Sequence, residues 1–545
     1  MKKYLILFLL FAANLYSQNY SQNVKVGKNE IFTRFGNTIQ SKIVTIPQRV
    51  DGKIDNPYSV FDFYNPNTNG SFIRWQFIDP IAIADYTKIS GNGQYSIDAW
   101  DLNSKRISLY DNASSTPVWE FTSVPQPTWY NYLAISDTAG YIAAGIYTNI
   151  YIFNRQSNVP IFNFDLTVLP DTGTAGPLDI TSDGKFIVSC ANRNDTSTIF
   201  CFSKDTNISV WKYRVPTAIQ GIKISGNDSL VIVNTYGQVW VFKTYTGQMI
   251  FQTSNTAGTQ MPQGISGNGN LIALINYQGY LRVFQWNGST YNFLWLHQEL
   301  PGTYYNWMTA VDISYDGQYI ACGTLNFVSS TETDGKIKLF HSSNATPIWT
   351  IPGLGDEVQG IAISKNSKIL IGGSWGDLNN AHDDFDVFRI ADMQPVPIFS
   401  INSPGSIFDC TVSDDGTSAI AGGKKVHARA FGNGGELYNV FIDTAGSTSG
   451  IYNNNTVPQS FKLYQNYPNP FNNQTRIEYD VPKSGFYKIA VYDLLGREVQ
   501  VLQNSYHKAG NYSVLFNAEN LASGIYMYKI SSDKFNDMKR MVYVK

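Results

Sequence analysis

The stretch Ala310-Val-Asp-Ile-Ser314, Tyr315-Asp-Gly317, Gln318-Tyr-Ile-Ala-Cys322 decides the fold, because it is one copy of a phrase that the chain repeats. Each copy is an apolar run ending in Ile or Val before Ser or Thr, then a polar turn, then a second apolar run. The closing residue is Ile89, Ile135, Ile180, Ile224, Ile265, Ile313, Ile363 and Val412, so eight copies follow one another at steps of 41 to 50 residues. A step of about 40 to 50 residues is the spacing of four-stranded blades set around a ring.

The rest of each copy agrees. In the sixth, Lys336-Ile-Lys-Leu-Phe340 and Pro347-Ile-Trp-Thr-Ile351 supply a third and a fourth short strand, separated by turn residues. An aromatic recurs in the expected fourth strand: Trp119, Phe162, Trp211, Phe251, Trp295, Trp349, Phe399 and Tyr438. A large ring there fills the wide outer gap between blades, and small residues such as Ala143 and Ala321 suit the narrow inner part. No 3.6-residue periodicity appears. The sequence predicts an all-β chain: an eight-bladed β-propeller over 71–445, with seven blades as the alternative, followed by a small Ig-like β-sandwich over 457–545. The stretch Ser71-Phe-Ile-Arg-Trp-Gln-Phe77 is placed to pair with the last blade and close the ring, behind an N-terminal extension at 18–70.

Composition fits this. Only 15% of the 545 residues are charged while 14% are aromatic, as in β-rich folds with ample core material. A formal net charge of -2 offers no basic stripe for phosphates, so nucleic acid is not an expected partner. Residues 1–17 read as a secretory signal peptide: Met1-Lys-Lys3, an apolar run from Tyr4 to Ala13, then small and polar residues to Ser17. That run is half of what a spanning helix requires, and no later segment is more apolar, so no transmembrane segment is expected. Four cysteines, Cys190, Cys201, Cys322 and Cys410, lack metal-ligand spacing; Cys190 and Cys201 either face each other across a hairpin as a disulfide or are small buried residues.

Two resemblances follow from the repeat. The Asp-Gly turn after the first strand resembles the WD40 family, although the Trp-Asp ending is missing. The segment Phe242-Lys-Thr-Tyr-Thr-Gly-Gln-Met-Ile-Phe251 is similar to the quinoprotein-like propellers. Adjacent cysteines, which that second family carries at its redox cofactor, are absent, so no cofactor is expected.

Behind a small polar linker at 446–456 stands a third resemblance. Asn466-Tyr-Pro-Asn-Pro-Phe-Asn472, Val491-Tyr-Asp-Leu-Leu-Gly-Arg-Glu-Val499, Ser523-Gly-Ile-Tyr-Met-Tyr-Lys-Ile530 and the ending Lys539-Arg-Met-Val-Tyr-Val-Lys545 together resemble the C-terminal sorting domain, type A, of the type IX secretion system. The resemblance implies Asn466, Tyr467, Pro468, Asn469, Pro470, Phe471, Gly524 and Lys545 as sorting-motif residues. It also implies the type IX machinery and its sortase as partners, and a destination at the outer membrane surface or in the extracellular medium.

Chemistry is sparse. No HExxH pattern, nucleophile elbow or sialidase-type Asp box occurs, and no catalytic residue is assigned. The loop Gly376-Asp-Leu-Asn-Asn-Ala-His-Asp-Asp-Phe-Asp386 gathers Asp377, Asp383, Asp384 and Asp386 as calcium candidates, but in an order unlike an EF-hand. Links between blades emerge on the same face as loops joining second to third strands, and on that face the sequence gathers Trp129, Tyr130, Tyr304, Tyr305 and Trp307 as ligand-binding candidates. The expectation is an exported binding propeller for a protein or glycan. The alternatives are a propeller hydrolase or lyase acting on extracellular glycans, and a structural platform whose central opening is filled with side chains.

Overall fold

The structure is a computed structural model that describes residues 59–62, 71–444 and 460–545, with breaks at 103–105, 123–130, 168–172, 194–195, 207, 300–305, 330–331, 378–379, 381, 394, 428–433, 467–468, 473, 484, 508–509, 519–520 and 533–534. The expected signal peptide, most of the 18–70 extension and the 446–456 linker lie outside the described residues.

Between residues 59 and 444, eight antiparallel sheets follow one another among the described residues, seven of them continuous in sequence. Their first strands, which we take as the inner strands of blades 1 to 8, are Ala82–Ile89, Asn131–Ile135, Asp179–Ile180, Ile219–Ile224, Gly264–Ile265, Asn306–Ile313, Val358–Ile363 and Ser406–Val412. Each touches the next, and Ser406–Val412 returns to touch Ala82–Ile89, so the sheets close a ring: the domain is a β-propeller.

Closure is made by the N-terminal stretch. Phe72–Asp79 pairs antiparallel with Gly435–Phe441 and takes the fourth position of blade 8, while Ser59–Asp62 adds a fifth strand outside it. This corrects one expectation. Tyr438 lies on the third strand of its blade, and the outer aromatic of blade 8 is Trp75, more than 350 residues earlier in the chain.

The ring contacts show why the aromatic recurs. Trp119, Trp211 and Trp295, each on an outer strand, pack on Phe153, Phe242 and Phe340 of the following blade at 5.4, 5.8 and 5.9 Å. Each indole N–H also donates to a turn carbonyl of that blade, at Arg155, Thr244 and Ser342. Trp75 repeats the scheme on blade 1, 5.0 Å from Tyr110 and donating to Asn112 O at 3.1 Å. The indole thus buries its faces between sheets while its one donor is satisfied, the condition for placing Trp in a core.

The repeated Ile-Ser phrase is a turn with a fixed hydrogen-bond scheme. The hydroxyl after each inner strand is buried and accepts the backbone N–H five residues on, at 2.9–3.1 Å in all eight blades. In seven it also donates to the Asn or Asp two residues on, at 2.7–2.8 Å; blade 2 has Thr138 there. Such side-chain turns satisfy backbone groups that would otherwise be orphaned at a strand end.

All four cysteines are free and buried. Cys190 is opposite Ile199 and Cys201 opposite Val188, so the two thiols do not meet across the hairpin. Burial pushes the Cys201 thiol up to about 12.

In residues 460–545, a three-stranded sheet (Lys462–Leu463, Gln474–Val481, Gly510–Asn517) and a four-stranded sheet ordered Glu498–His507, Gly485–Tyr492, Gly524–Ser531, Asn536–Tyr543 form a sandwich. One core joins them, including Ile477, Tyr479, Val514 and Phe516 from the first sheet and Ile489, Val491, Tyr528 and Ile530 from the second. The alternation read in the sequence is the alternation between core and surface.

Candidate functional site

In each blade the first-to-second turn and the third-to-fourth turn lie at one end of the ring, here the turn face. The second-to-third loop and the link to the next blade lie at the other, the link face. Side chains cross the central opening at both ends. On the turn face Lys365 of blade 7 reaches Asp137 of blade 2 at 3.2 Å and Asp414 of blade 8 at 3.1 Å, and its ammonium lies 5.6 Å above the Tyr315 ring. On the link face the amide of Gln359, in blade 7, reaches the Met261 sulfur, before blade 5, at 3.8 Å.

The carboxylates of the bore hold the blades together. Asp179 accepts Ile224 N–H, Asp312 accepts Ile363 N–H and Asp409 accepts Thr87 N–H, in each case from the neighbouring blade. Asp312 and Asp409 are further paired with Lys223 and Lys88 at 2.5 and 2.9 Å. These are staples between inner strands. Asp98, on the second strand of blade 1, has no hydrogen bond to either oxygen, and burial, opposed by Arg106 and reinforced by the nearby acids, raises its carboxyl well above the ordinary range.

The link face collects aromatics from several blades. Trp307 is half-buried, its ring 4.9 Å from Tyr277 and 5.4 Å from Phe327. Tyr236, more than a third exposed, accepts from the Gln260 amide at 2.7 Å, and Gln260 N–H in turn donates to Tyr277 at 3.3 Å. Farther round, Trp375 and Phe408 lie 5.0 Å apart, and Lys424 stands over both rings at 5.5 and 5.6 Å. The Trp375 indole donates to Gln359 at 2.9 Å, which fixes its plane. Flat rings held by neighbouring amides, with a cation beside them, suit the apolar face of a sugar or a peptide side chain at small entropic cost.

Of the ligand-binding residues expected from the sequence, Trp307 joins this surface. Trp129, Tyr130, Tyr304 and Tyr305 lie outside the described residues. Tyr236, Tyr277, Trp375, Phe408 and Lys424 escaped the sequence reading because each sits alone in a short loop or at a strand end, and only the ring brings them to one side.

The calcium candidates do not converge, and among the described residues no group of three or more His, Cys, Asp or Glu side chains is placed to hold a metal. Asp384 is turned inward to accept Ser403 N–H and Oγ at 2.9 and 3.1 Å, Asp386 accepts Ser400 Oγ at 2.5 Å, and Asp377 faces His382 at 3.9 Å. Asp384 instead meets His427, Oδ1 to Nδ1 at 3.6 Å, under Gly376, where any side chain would strike both residues and φ is +67°. Burial lifts the Asp384 carboxyl to about 8 and lowers His427, so the pair is uncharged at neutral pH.

In the sandwich, the sorting-motif residues divide into two groups. Asn466 and Phe471 are buried: Asn466 Nδ2 donates to Thr475 at 2.9 Å, and its backbone N–H donates to the Tyr528 hydroxyl. Asn469 and Pro470 are exposed, and the Asn469 side chain accepts Val542 N–H at 2.9 Å. The bonds Phe471 N–H to Val542 O and Val544 N–H to Phe471 O strap the motif along the last strand. Lys545 is exposed, with its N–H on Ser523 Oγ beside Gly524. Tyr467 and Pro468 lie outside the described residues.

The segment carrying these bonds is matched by a known family. Residues 465–545 are a secretion system C-terminal sorting domain. This sorting domain marks the chain for export by the type IX system to the outer membrane surface or the extracellular medium, and so names the secretion machinery as a partner. No curated protein matches the chain. Among solved structures, the β-propeller domain of Cps50 (Swd1) from Myceliophteria thermophila is similar over 55% of this chain and 96% of that one, at 9% identity and a TM-score of 0.42. No described helix is long and apolar enough to cross a membrane.

Proposed function

We propose that the chain is an exported, non-enzymatic binding protein: an eight-bladed propeller that captures a protein or glycan on its link face, delivered by an Ig-like sorting domain. The single observation that carries this is the pair Trp375 and Phe408 with Lys424 over both rings, placed beside the channel mouth and anchored through Gln359. The turn face has a repetitive, inward-directed hydrogen-bond scheme, and its ring–cation pairs, Lys204 over Tyr141 at 5.0 Å and Arg155 over Tyr95 at 4.7 Å, each set one ring under one cation. A glycan-cleaving reading calls for two carboxylates available to substrate some 5 to 10 Å apart. Asp179, Asp312 and Asp409 are committed to neighbouring backbone N–H groups, which favours binding over cleavage.

The test is a binding screen of the secreted protein against surface glycans and secreted proteins, with the double variant Trp307→Ala, Trp375→Ala in parallel. The wild type binds at least one class, and the variant binds about tenfold or more weakly, since two aromatic anchors contribute more than about 1.4 kcal/mol together. Equal binding by both proteins removes the link face as the site.

A further inference from the structure

The sandwich displays two leucines that its own core does not use. Leu494 and Leu495 are 68% and 79% exposed, the latter the most exposed large apolar side chain among the described residues. They sit at the tip of the hairpin between Gly485–Tyr492 and Glu498–His507, and the tip is rigidly made. Asp493 accepts the N–H groups of Leu495 and Arg497 at 2.9 and 3.0 Å and the Arg497 Nε at 2.7 Å, and its own N–H donates to Arg497 O. Gly496 takes φ +77°, which a side chain resists, to complete the turn. A turn organised this strongly around two solvent-facing leucines is expensive to keep unless something covers them.

The register says what else is there. Tyr492 is level with Met527, Met527 with Arg540, and Gly524 with Tyr543, so the leucine tip, the start of Gly524–Ser531 and the C-terminus all lie at the same end of the four-stranded sheet. The tip and the last strand are two strand positions apart, roughly 10 Å. Asn469 and Phe471 are bonded along that same terminal strand, and Val544 beside them is 49% exposed. Four segments that are far apart in sequence therefore meet at one end of the domain. That end is also basic on one side of its rim, where Arg540 and Lys545 are exposed, while on the other Arg497, three-quarters exposed, is paired with Asp493.

We propose that this end of the sandwich is the surface read by the type IX machinery, and that Leu494 and Leu495 enter an apolar slot with an acidic rim on its outer-membrane receptor. The inference rests on residues 465–545 acting as the sorting domain. It locates recognition in a composite of the hairpin tip and the C-terminal strand, rather than in the buried part of the Asn466–Phe471 motif, which builds the fold.

The experiment expresses the full chain in a bacterium that has the type IX system and compares cell-surface and medium fractions with the periplasm. In Leu494→Asn, Leu495→Asn, the exported fraction falls about tenfold or more and the chain accumulates in the periplasm. Leu494→Met, Leu495→Met restores export because the tip remains apolar, and the control Ile208→Asn, at an equally exposed apolar residue of the propeller, exports normally. Thermal unfolding of the purified variants stays at the wild-type midpoint. Normal export of the Asn variant overturns the proposal, and so does retention of the Met variant. A deletion of 465–545 separates the two levels: if the deleted chain is still exported the sorting reading itself fails, whereas a blocked deletion with a normally exported Asn variant sinks only the leucine tip.

Discussion

On the turn face of the ring, eight turns share one hydrogen-bonding scheme, and Lys365 clamps three blades together across the opening. On the link face the loops differ from blade to blade, and the aromatic side chains come from blades 4 to 8 without a repeat. Repetition marks what every blade needs in order to end a strand and meet its neighbour. The departures from it, at Trp375, Phe408 and Lys424, are positions that closure of the ring does not require, and they are where a ligand can be accommodated. The same division holds inside the sorting domain, where the buried Asn466 and Phe471 build the sandwich while the exposed Leu494 and Leu495 do not.

The contrast can be broken most forcefully at the seam. Trp75→Ala removes the outer indole of blade 8 and its bond to Asn112, and an outlay of about 3 to 5 kcal/mol in unfolding free energy is expected by urea titration. Trp307→Ala, on the link face, costs about 1 kcal/mol. Equal losses from the two would erase the distinction between ring-forming and ligand-facing tryptophans.

A finer distinction is carried by two buried acids under the link face. Burial works to raise Glu299, but the hydrogen bonds of His297 and Lys338 and the charges of Lys338 and Lys336 prevail and hold it near 2. Its Lys338 partner is 2.6 Å away and itself buried. A depressed folded value means that this contribution is complete above the ordinary pKa near 4.5 and is lost as the pH falls toward 2. Glu299→Gln leaves the Lys338 ammonium uncompensated and costs about 3 kcal/mol at neutral pH. Asp384 behaves in the opposite sense. Its folded value near 8 lies above the ordinary 3.8, so the folded state holds a proton that the unfolded state releases, and stability declines with rising pH between those values. The slope is at most about 1.4 kcal/mol per pH unit. Asp384→Asn lessens that decline, to which Glu436, lifted by burial to about 7, also contributes, while leaving the acid limb set by Glu299 in place. Melting curves from pH 3 to pH 9 read both; a flat profile for the wild type between pH 5 and pH 8 would contradict the buried Asp384.

Much of the fold was legible because its causes are local and repeated. The Ile-Ser phrase is visible since each copy solves the same strand-ending problem with the same hydroxyl, and the outer tryptophans are visible since each blade presents the same gap. The closing strand was legible too, as the stretch 71–77 ahead of the first copy, placed to pair with the last blade. What the repeat hid was its own interruption: Tyr438 was read as an outer aromatic because the count assumed four consecutive strands, whereas the ring borrows the fourth from residues 72–79. The binding surface was less legible for a physical reason. Trp375 and Phe408 are 33 positions apart and become a pair only when blades 7 and 8 lie side by side. The acidic loop shows the converse, since Asp377, Asp384 and Asp386 are close in sequence yet turn toward different partners.

The most direct test of the link face needs no knowledge of the ligand. Tyr236 and Tyr245 lie in the same blade, on the link face and the turn face, with exposures of 37% and 45%. Hydroxyl-radical footprinting of the protein on the cells that export it, compared with the purified protein, should show oxidation of Tyr236, Trp307 and Trp375 reduced several-fold while Tyr245 reacts at the same rate in both. Unchanged labelling of Tyr236, Trp307 and Trp375, or selective protection of Tyr245, would contradict the assignment of the link face as the binding surface.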